Sequence, residues 1–276
     1  MHIATHGIVA SSVGGSTPFT NTLSTLFDGA DDYVNCGDNN NLSFGDGSTD
    51  SPFSISAWIK PLDNARFRIA FKYGVTLKEY YFGTAGGGAL QVSLNASSSI
   101  YIGRNGQTII NENVWSHVVF TYDGSGNRFN VNIYLNGVLD NGTAISSGVY
   151  TAMSNTSEPF EIGRYSGGSY ASGNIDETAV FNTELSASNV TSIYNSGTPN
   201  DISAISGLVS WWRMGEDATF STNWTIPDKI GSNNGTSANM TNDDLTGDAP
   251  GVTGNGVSAN MTIEDRTGDA PDSSNN

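Results

Sequence analysis

Phe53-Ser-Ile-Ser-Ala-Trp-Ile59 places Phe53, Ile55, Ala57 and Ile59 on one side and Ser54, Ser56 and Trp58 on the other. Successive strand side chains point to opposite faces, so this alternation marks a strand with one face in a core. Working outward, Phe129-Asn-Val-Asn-Ile-Tyr-Leu135 repeats the spacing at Phe129, Val131, Ile133 and Leu135, and Asn136-Gly137 follows it. Asn-Gly suits a type I′ turn, whose two central residues need φ > 0, so a hairpin is expected there. Trp115 to Tyr122 is apolar on both sides and is expected in the middle of a sheet. Shorter runs at 66–73, 77–82, 89–94, 100–104, 160–164 and 174–181 are separated by Gly, Asn and Ser turns. This series predicts an all-β, antiparallel two-sheet sandwich. One short helix is expected after Ser186, with Val190, Ile193 and Tyr194 on one face and Gly197 just past its end.

Composition agrees with that reading. Of 276 residues, 37% are hydrophobic and 14% charged, and there are 33 glycines. Surface polarity therefore comes from Asn, Ser, Thr and Gly, which favour turns over helix interiors. With 27 acidic and 11 basic residues the net charge is −16. Nucleic-acid binding needs clustered Lys and Arg to displace counterions, so it is not expected. No apolar run approaches the ~18 residues of a membrane span, so membrane insertion is not expected either. Met1-His-Ile-Ala-Thr-His-Gly-Ile-Val-Ala-Ser-Ser12 lacks the basic and apolar regions of a secretory signal. The single Cys36 cannot form an intrachain disulfide and is expected to be a small buried residue.

Three regions are expected. Residues 1–24 read as an extended arm, 25–216 as the sandwich, and 217–276 as a polar tail. Within the tail, residues 237–250 recur as 258–271, with eleven of fourteen positions identical. Two copies are too few for a solenoid.

An ordered set of segments resembles a family. Phe27-Asp-Gly-Ala-Asp-Asp-Tyr-Val34, Phe53 to Pro61, Trp115-Ser-His-Val-Val-Phe-Thr-Tyr-Asp-Gly124, Ile133-Tyr-Leu-Asn-Gly-Val138, Ile162-Gly-Arg164 and Gly173-Asn-Ile-Asp-Glu177 follow one another, closed by Leu185-Ser186 and Ile193-Tyr194. Together, over about residues 25–197, they resemble a laminin-G-like domain of the concanavalin A-like lectin/glucanase superfamily, which implies a jelly-roll sandwich. In many relatives a segment like Gly207-Leu-Val-Ser-Trp-Trp-Arg-Met-Gly-Glu216 precedes the first strand. Here it follows the domain, and it is read as a permuted strand near 207–214 packing beside the first strand. This order, with the start His6-Gly-Ile-Val-Ala-Ser-Ser12, resembles laminin-G-like proteins carried by phages of aquatic bacteria.

The family resembled also includes glycoside hydrolases, whose chemistry needs a pair of carboxylates flanking one bond. The Glu-x-Asp-x-x-Glu signature is absent. Asp176 and Glu177 are adjacent on a strand and are expected to point to opposite faces. His117 alternates with Val119 on a strand and reads as a locally bonded sheet residue in preference to a base. No enzymatic activity is expected; a glycan-cleaving enzyme, testable by Asp176→Asn, is the third reading. The superfamily often joins its first and last strands through calcium, which implies Asp28, Asp31, Asp32 and Asp176 as structural ligands. The alternative is that Asp28 and Asp32 make Asx-turns around Gly29.

Sugar recognition combines aromatic platforms with planar hydrogen-bonding groups. Tyr80, Tyr81, Arg104, Tyr165 and Tyr170, read as loop-placed, are the candidate ligand-binding residues; each could instead be a half-buried strand-end residue. Trp58, Trp115, Trp211 and Trp212 are assigned to the core. The expected function is a non-enzymatic structural and adhesion module on a virion surface or outside a cell, binding surface glycan. Its other partners would be virion subunits or copies of itself. A free carbohydrate-binding lectin is the alternative.

Overall fold

The computed structural model describes residues 19–165 and 168–252. In chain order the strands begin with β1 (Ser24–Asp28), β2 (Tyr33–Asn35), β3 (Phe53–Pro61), β4 (Arg68–Tyr73), β5 (Lys78–Thr84), β6 (Ala89–Asn95) and β7 (Tyr101–Ile109). There follow β8 (Ser116–Tyr122), β9 (Val131–Leu135), β10 (Val138–Leu139), β11 (Asn141–Ser147), β12 (Glu161–Ile162), β13 (Arg164–Tyr165), β14 (Ser169–Tyr170) and β15 (Ser172–Phe181). After helix α1 (Ala187–Tyr194) come β16 (Leu208–Trp212), β17 (Thr219–Phe220), β18 (Trp224–Ile226), β19 (Gly235–Ala238) and β20 (Leu245–Thr246).

The front sheet runs β10-β9-β8-β3-β15-β1-β20, with β16 also paired to β15; the back sheet runs β11-β7-β6-β5-β4-β12-β2-β19-β18-β17. All pairings are antiparallel, and the two sheets enclose one core in a jelly-roll sandwich. Phe53, Ile55, Ala57 and Ile59 are all fully buried in it, as their alternation requires. Phe53 stacks on Phe44 at 4.3 Å and meets Phe120 edge-on at 5.1 Å. Each such ring contributes roughly 1.5–3 kcal/mol by leaving water. β8 lies between β3 and β9, central as expected.

The turn signals are realised. Asn136 and Gly137 have φ of 50° and 78°, closing the hairpin of β9 on β10. Ser186 caps α1 by accepting from the Asn189 amide, and the left-handed turn ending it falls on Asn195 before Gly197. Phe129 departs from expectation. It sits in a 3-10 turn before β9 and is 61% exposed, so the apolar face of that strand starts at Val131. Cys36 is buried and unpaired.

The polar-tail expectation fails for residues 217–250. β18 and β19 extend the back sheet beyond β2, and β20 adds to the front sheet beside β1. Trp224, Ile226 and Leu245, carried on very short strands, and Met240 in the loop after β19 join the core. The first repeat copy thus supplies the end of β19 and all of β20; the second, 258–271, lies outside the described residues. So do residues 1–18 of the expected arm, while Leu23 and Ser24 are buried.

The permuted strand is present but placed differently. β16 and β1 occupy the same edge of β15, end to end: Trp212 is opposite Thr178, and Thr25 is opposite Ile175. The end of the 207–216 segment therefore meets the start of β1, where Glu216 accepts the Leu23 amide at 2.8 Å. Trp212 is buried in the inter-sheet core, stacked on Phe160 at 5.1 Å. Trp211 faces the other way, into a second apolar cluster with Val190, Ile193 and Ile202 that covers part of the front sheet's outer surface. Trp115 is half-buried at the rim, its indole bonded to Asp248.

Candidate functional site

The outer face of the back sheet carries a cluster of aromatic and cationic side chains. On β5, Tyr80 and Phe82 face the core, so parity sends Tyr81 outward. Its neighbour across the ladder is Phe71 of β4, and the rings stack at 5.6 Å with a 9° tilt. Tyr73 meets Tyr81 edge-on at 5.3 Å. Gly163 then turns the chain out of the back sheet with φ of 84°, and a Cβ there would lie 2.2 Å from the Phe27 ring. The hairpin β13–β14 that follows brings Tyr165 within 5.4 Å of Tyr73. Ser169 of the same hairpin accepts from Arg68 Nε and Nη2 at 3.0 and 2.8 Å, holding the guanidinium near Tyr165 and Phe71. Arg66, Arg68, Phe71, Tyr73, Tyr81, Gln91 and Tyr165 line a cavity of about 190 Å³. An adjoining groove of about 310 Å³, lined by Tyr170, Asp63 and Ser172 among others, shares Arg66. The first cavity is smaller than the ~300–1,000 Å³ of enclosed drug-sized sites, which suits one ring or one substituent on an open face.

Two carboxylate clusters stand elsewhere. In the first, Asp28, Asp31 and Asp32 converge. Asp28 accepts from the Ala30 and Asp31 amides, an Asx-turn around Gly29, whereas Asp32 makes no such turn and reaches back to accept from the Asp28 amide at 3.0 Å. Burial, then neighbouring acidic groups, push the Asp32 carboxyl up to about 7. Asp176 does not join them. Asp28 is opposite Ser172 on β15, and Asp176 is four residues further on, about 13 Å along the strand. The expected four-residue calcium set is therefore divided.

Asp176 instead meets Glu177 and Glu216. A β-bulge between Asp176 and Ala179, with Glu177 at φ 47°, inserts a residue into the ladder. It breaks the alternation expected to send Asp176 and Glu177 to opposite faces and brings their carboxylates together. Arg213 lies 3.2 Å from Glu177, the Trp211 indole donates to the same carboxylate, and Asn21 donates to Asp176 at 2.9 Å. Glu216 Oε2 and Asn21 Oδ1 are buried without a hydrogen-bond partner among the described residues. Burial raises Asp176, pushes Glu177 up to about 8, and raises Glu216; among these three, like charges also raise Asp176 and Glu177. An all-oxygen donor set with two unsatisfied oxygens fits a hard divalent cation. The cavity beside Glu177 is about 10 Å³, with no room for a sugar ring.

A sequence profile named Laminin_G_3, described as concanavalin A-like lectin/glucanases superfamily, matches residues 28–191. The chain belongs to this family. No curated protein matches the sequence of this laminin-G-like chain. Among solved structures it is similar to a candidate carbohydrate binding protein from Bacteroides ovatus, with 20% identity and a TM-score of 0.59, covering 85% of this chain and 62% of that one. It is also similar to a heptameric SAP-like pentraxin from Limulus polyphemus, with 16% identity and a TM-score of 0.46, covering 75% and 93%. A third is the Ruminococcus gnavus IT-sialidase CBM40 bound to α2,3 sialyllactose, with 12% identity and a TM-score of 0.47, covering 62% and 96%. The chain spans less than two thirds of the Bacteroides structure, and at these identities the likeness is one of fold.

Within the laminin-G-like sandwich the five expected ligand-binding residues separate. Tyr81 and Tyr165 share the cavity, and Tyr170 lines the adjoining groove. Tyr80 is not loop-placed: it is fully buried in the core, its hydroxyl donating to the Leu42 carbonyl at 2.6 Å. Arg104 also faces inward, because it lies opposite Val92 on the core side of the back sheet. It donates to the Val131, Phe129 and Gly142 carbonyls and so ties the two sheets together. Arg104→Ala would leave three carbonyls without that donor and is expected to destabilise the fold by about 2–4 kcal/mol. Urea unfolding checks this, with ligand binding per folded molecule expected to stay constant. His117 is fully buried on the front sheet beside Trp58 and Tyr194, its Nε2 2.8 Å from Ser56 Oγ. Burial holds it down at about 3, which keeps the ring neutral.

Sequence reading missed Arg66, Arg68, Phe71, Tyr73 and Gln91. A signal was present in Arg66-Phe-Arg-Ile-Ala-Phe-Lys-Tyr73, where cations alternate with apolar residues at the start of a strand.

Proposed function

We propose that this domain is a non-catalytic glycan-binding module whose ligand lies on the outer face of the back sheet. The observation that carries the reading is the convergence of Tyr73, Tyr81, Tyr165, Arg68 and Gln91 on one open cavity. Sugar rings present C–H faces that pack on aromatic rings and hydroxyls that seek planar amide and guanidinium partners. The similarity in fold to a candidate carbohydrate binding protein supports the same reading. A glycan array followed by calorimetry tests it. Tyr165→Ala, which alters a hairpin outside the core, is expected to weaken the best array ligand at least tenfold, about 1.4 kcal/mol, with no change in the unfolding temperature. Unchanged affinity would place the ligand elsewhere.

The setting we propose is the outside of a phage particle or a cell, with attachment to virion subunits or to further copies of the chain. Its support is the likeness of residues 6–12, outside the described residues, to phage-borne laminin-G-like proteins. Immunolabelling of particles and size-exclusion of the pure protein test it; a monomer absent from particles would favour a free lectin. We also propose that calcium is held at Asp176, Glu177 and Glu216, where it would neutralise buried carboxylates and join β15 to the segment after β16.

A further inference from the structure

Five cations, Lys60, Lys72, Arg164, Arg213 and Lys229, each pair with a carboxylate. Arg66, Arg68, Lys78, Arg104 and Arg128 do not pair with one among the described residues, although the chain carries a charge of −16. Arg104 is taken up by three backbone carbonyls and Arg128 by Ser146, whereas Arg66, Arg68 and Lys78 gather at the same cavity. Arg66 and Arg68 line it, and Lys78 Nζ lies 4.7 Å from the ring centroid of Tyr73, a third lining residue. Arg68 is only 9% exposed, yet among the described residues its guanidinium bonds one hydroxyl, Ser169 Oγ, through Nε and Nη2, and its Nη1 has no hydrogen-bond partner. Asp63 is the acidic residue of the adjoining groove, at the Arg66 end. Burying a cation without an anion is costly, and burial does act against the charge on Arg68. A planar guanidinium fork is satisfied best by an oxyanion that accepts two bonds.

We infer that the glycan bound on this face is an acidic one, whose carboxylate or sulfate sits against Arg68 and Arg66 while its ring packs among Tyr73, Tyr81 and Tyr165. The inference rests on the glycan-binding reading above and narrows it to a ligand class. On a strongly acidic protein, two adjacent arginines flanked by a lysine also select against neutral competitors by leaving the cations unsatisfied when one binds.

Calorimetry on the full chain with oligogalacturonate, a sulfated oligocarrageenan and a neutral oligogalactan tests this. At least one acidic probe is expected to bind tenfold or more tightly than the neutral one, and the comparison of the two acidic probes separates carboxylate from sulfate. Its affinity is expected to fall as salt is raised. Arg68→Gln is expected to reduce the acidic probe to the level of the neutral one. The exposed Arg66→Gln is expected to lower it severalfold at unchanged thermal stability, which separates ligand loss from misfolding. Neutral binding equal to or stronger than acidic, still lost in Tyr165→Ala, would overturn the acidic assignment and leave glycan recognition standing. Silence of all three probes and of the glycan array would remove both.

Discussion

Trp224→Ala is expected to lower the unfolding free energy by about 3–5 kcal/mol, the cost of truncating a large buried ring. Trp224 lies in the stretch whose composition reads as a polar tail, but it is only 2% exposed. Its indole donates to the Thr241 carbonyl at 2.7 Å and its ring meets Phe220 at 5.1 Å. In an ordered body of this size about 1 kcal/mol moves the midpoint by roughly 2–4 °C, so the shift should be on the order of 10 °C. Thr225→Ala, on the exposed side of the same strand, should stay within about 0.5 kcal/mol. If Trp224→Ala behaved like Thr225→Ala, residues 217–250 would be an appendage and the sandwich would end near residue 216.

The second large effect concerns the Asp176, Glu177 and Glu216 cluster. With calcium chelated, the unfolding temperature is expected to fall between pH 5 and pH 8. The sign follows from linkage. These carboxyls, and Asp32, have folded values raised above their unfolded ones, so the folded chain holds more protons in that window and loses stability as pH rises through about 7 to 8. Calcium favours the ionised forms, so its benefit should grow with pH. At pH 8, calcium at about 100 times its dissociation constant would add about 2.7 kcal/mol, or roughly 5–10 °C. Asp176→Asn should abolish the increment, while Asp31→Asn should keep it, since the Asp28–Asp32 loop is satisfied by its own amides. Equal melting with and without calcium at pH 8 would leave Arg213 as the counter-charge of the cluster among the described residues. Loss of the increment in Asp31→Asn alone would return the ion to the first loop.

Period-two alternation made the long strands legible, since each of Phe53 to Ile59 and Val131 to Leu135 buries one face over several residues. It failed where the count was disturbed or too short. The bulge at Glu177 adds one residue, after which Ile175 and Val180, five apart, both face the core. No residue type at 176–179 announces that insertion. β17 to β20 have two to four residues each, so Trp224 and Ile226 stand among Thr, Asn and Ser with too few repeats to show a pattern. The proposed binding face was half legible: aromatic identity pointed to Tyr81 and Tyr165, which line one cavity, but Tyr80 is separated from Tyr81 only by parity. The partner residues on β4 come from 8–13 positions before Tyr81 in the chain, and pairing brings them there. Arg104 looked like a ligand contact because its inward direction is decided by its ladder neighbour Val92.

β20 beside β1 has a consequence for how the molecule is harnessed. Thr246 stands opposite Ser24, and the Ser24 hydroxyl donates to the Asp248 carbonyl, so the first and last strands of the body share one corner of the front sheet. The described chain thus opens and closes its sandwich at one corner, five residues after Phe19 and six before Val252. The aromatic and arginine face belongs to the other sheet, so the seam that shuts the body and the face proposed to bind are built on separate layers.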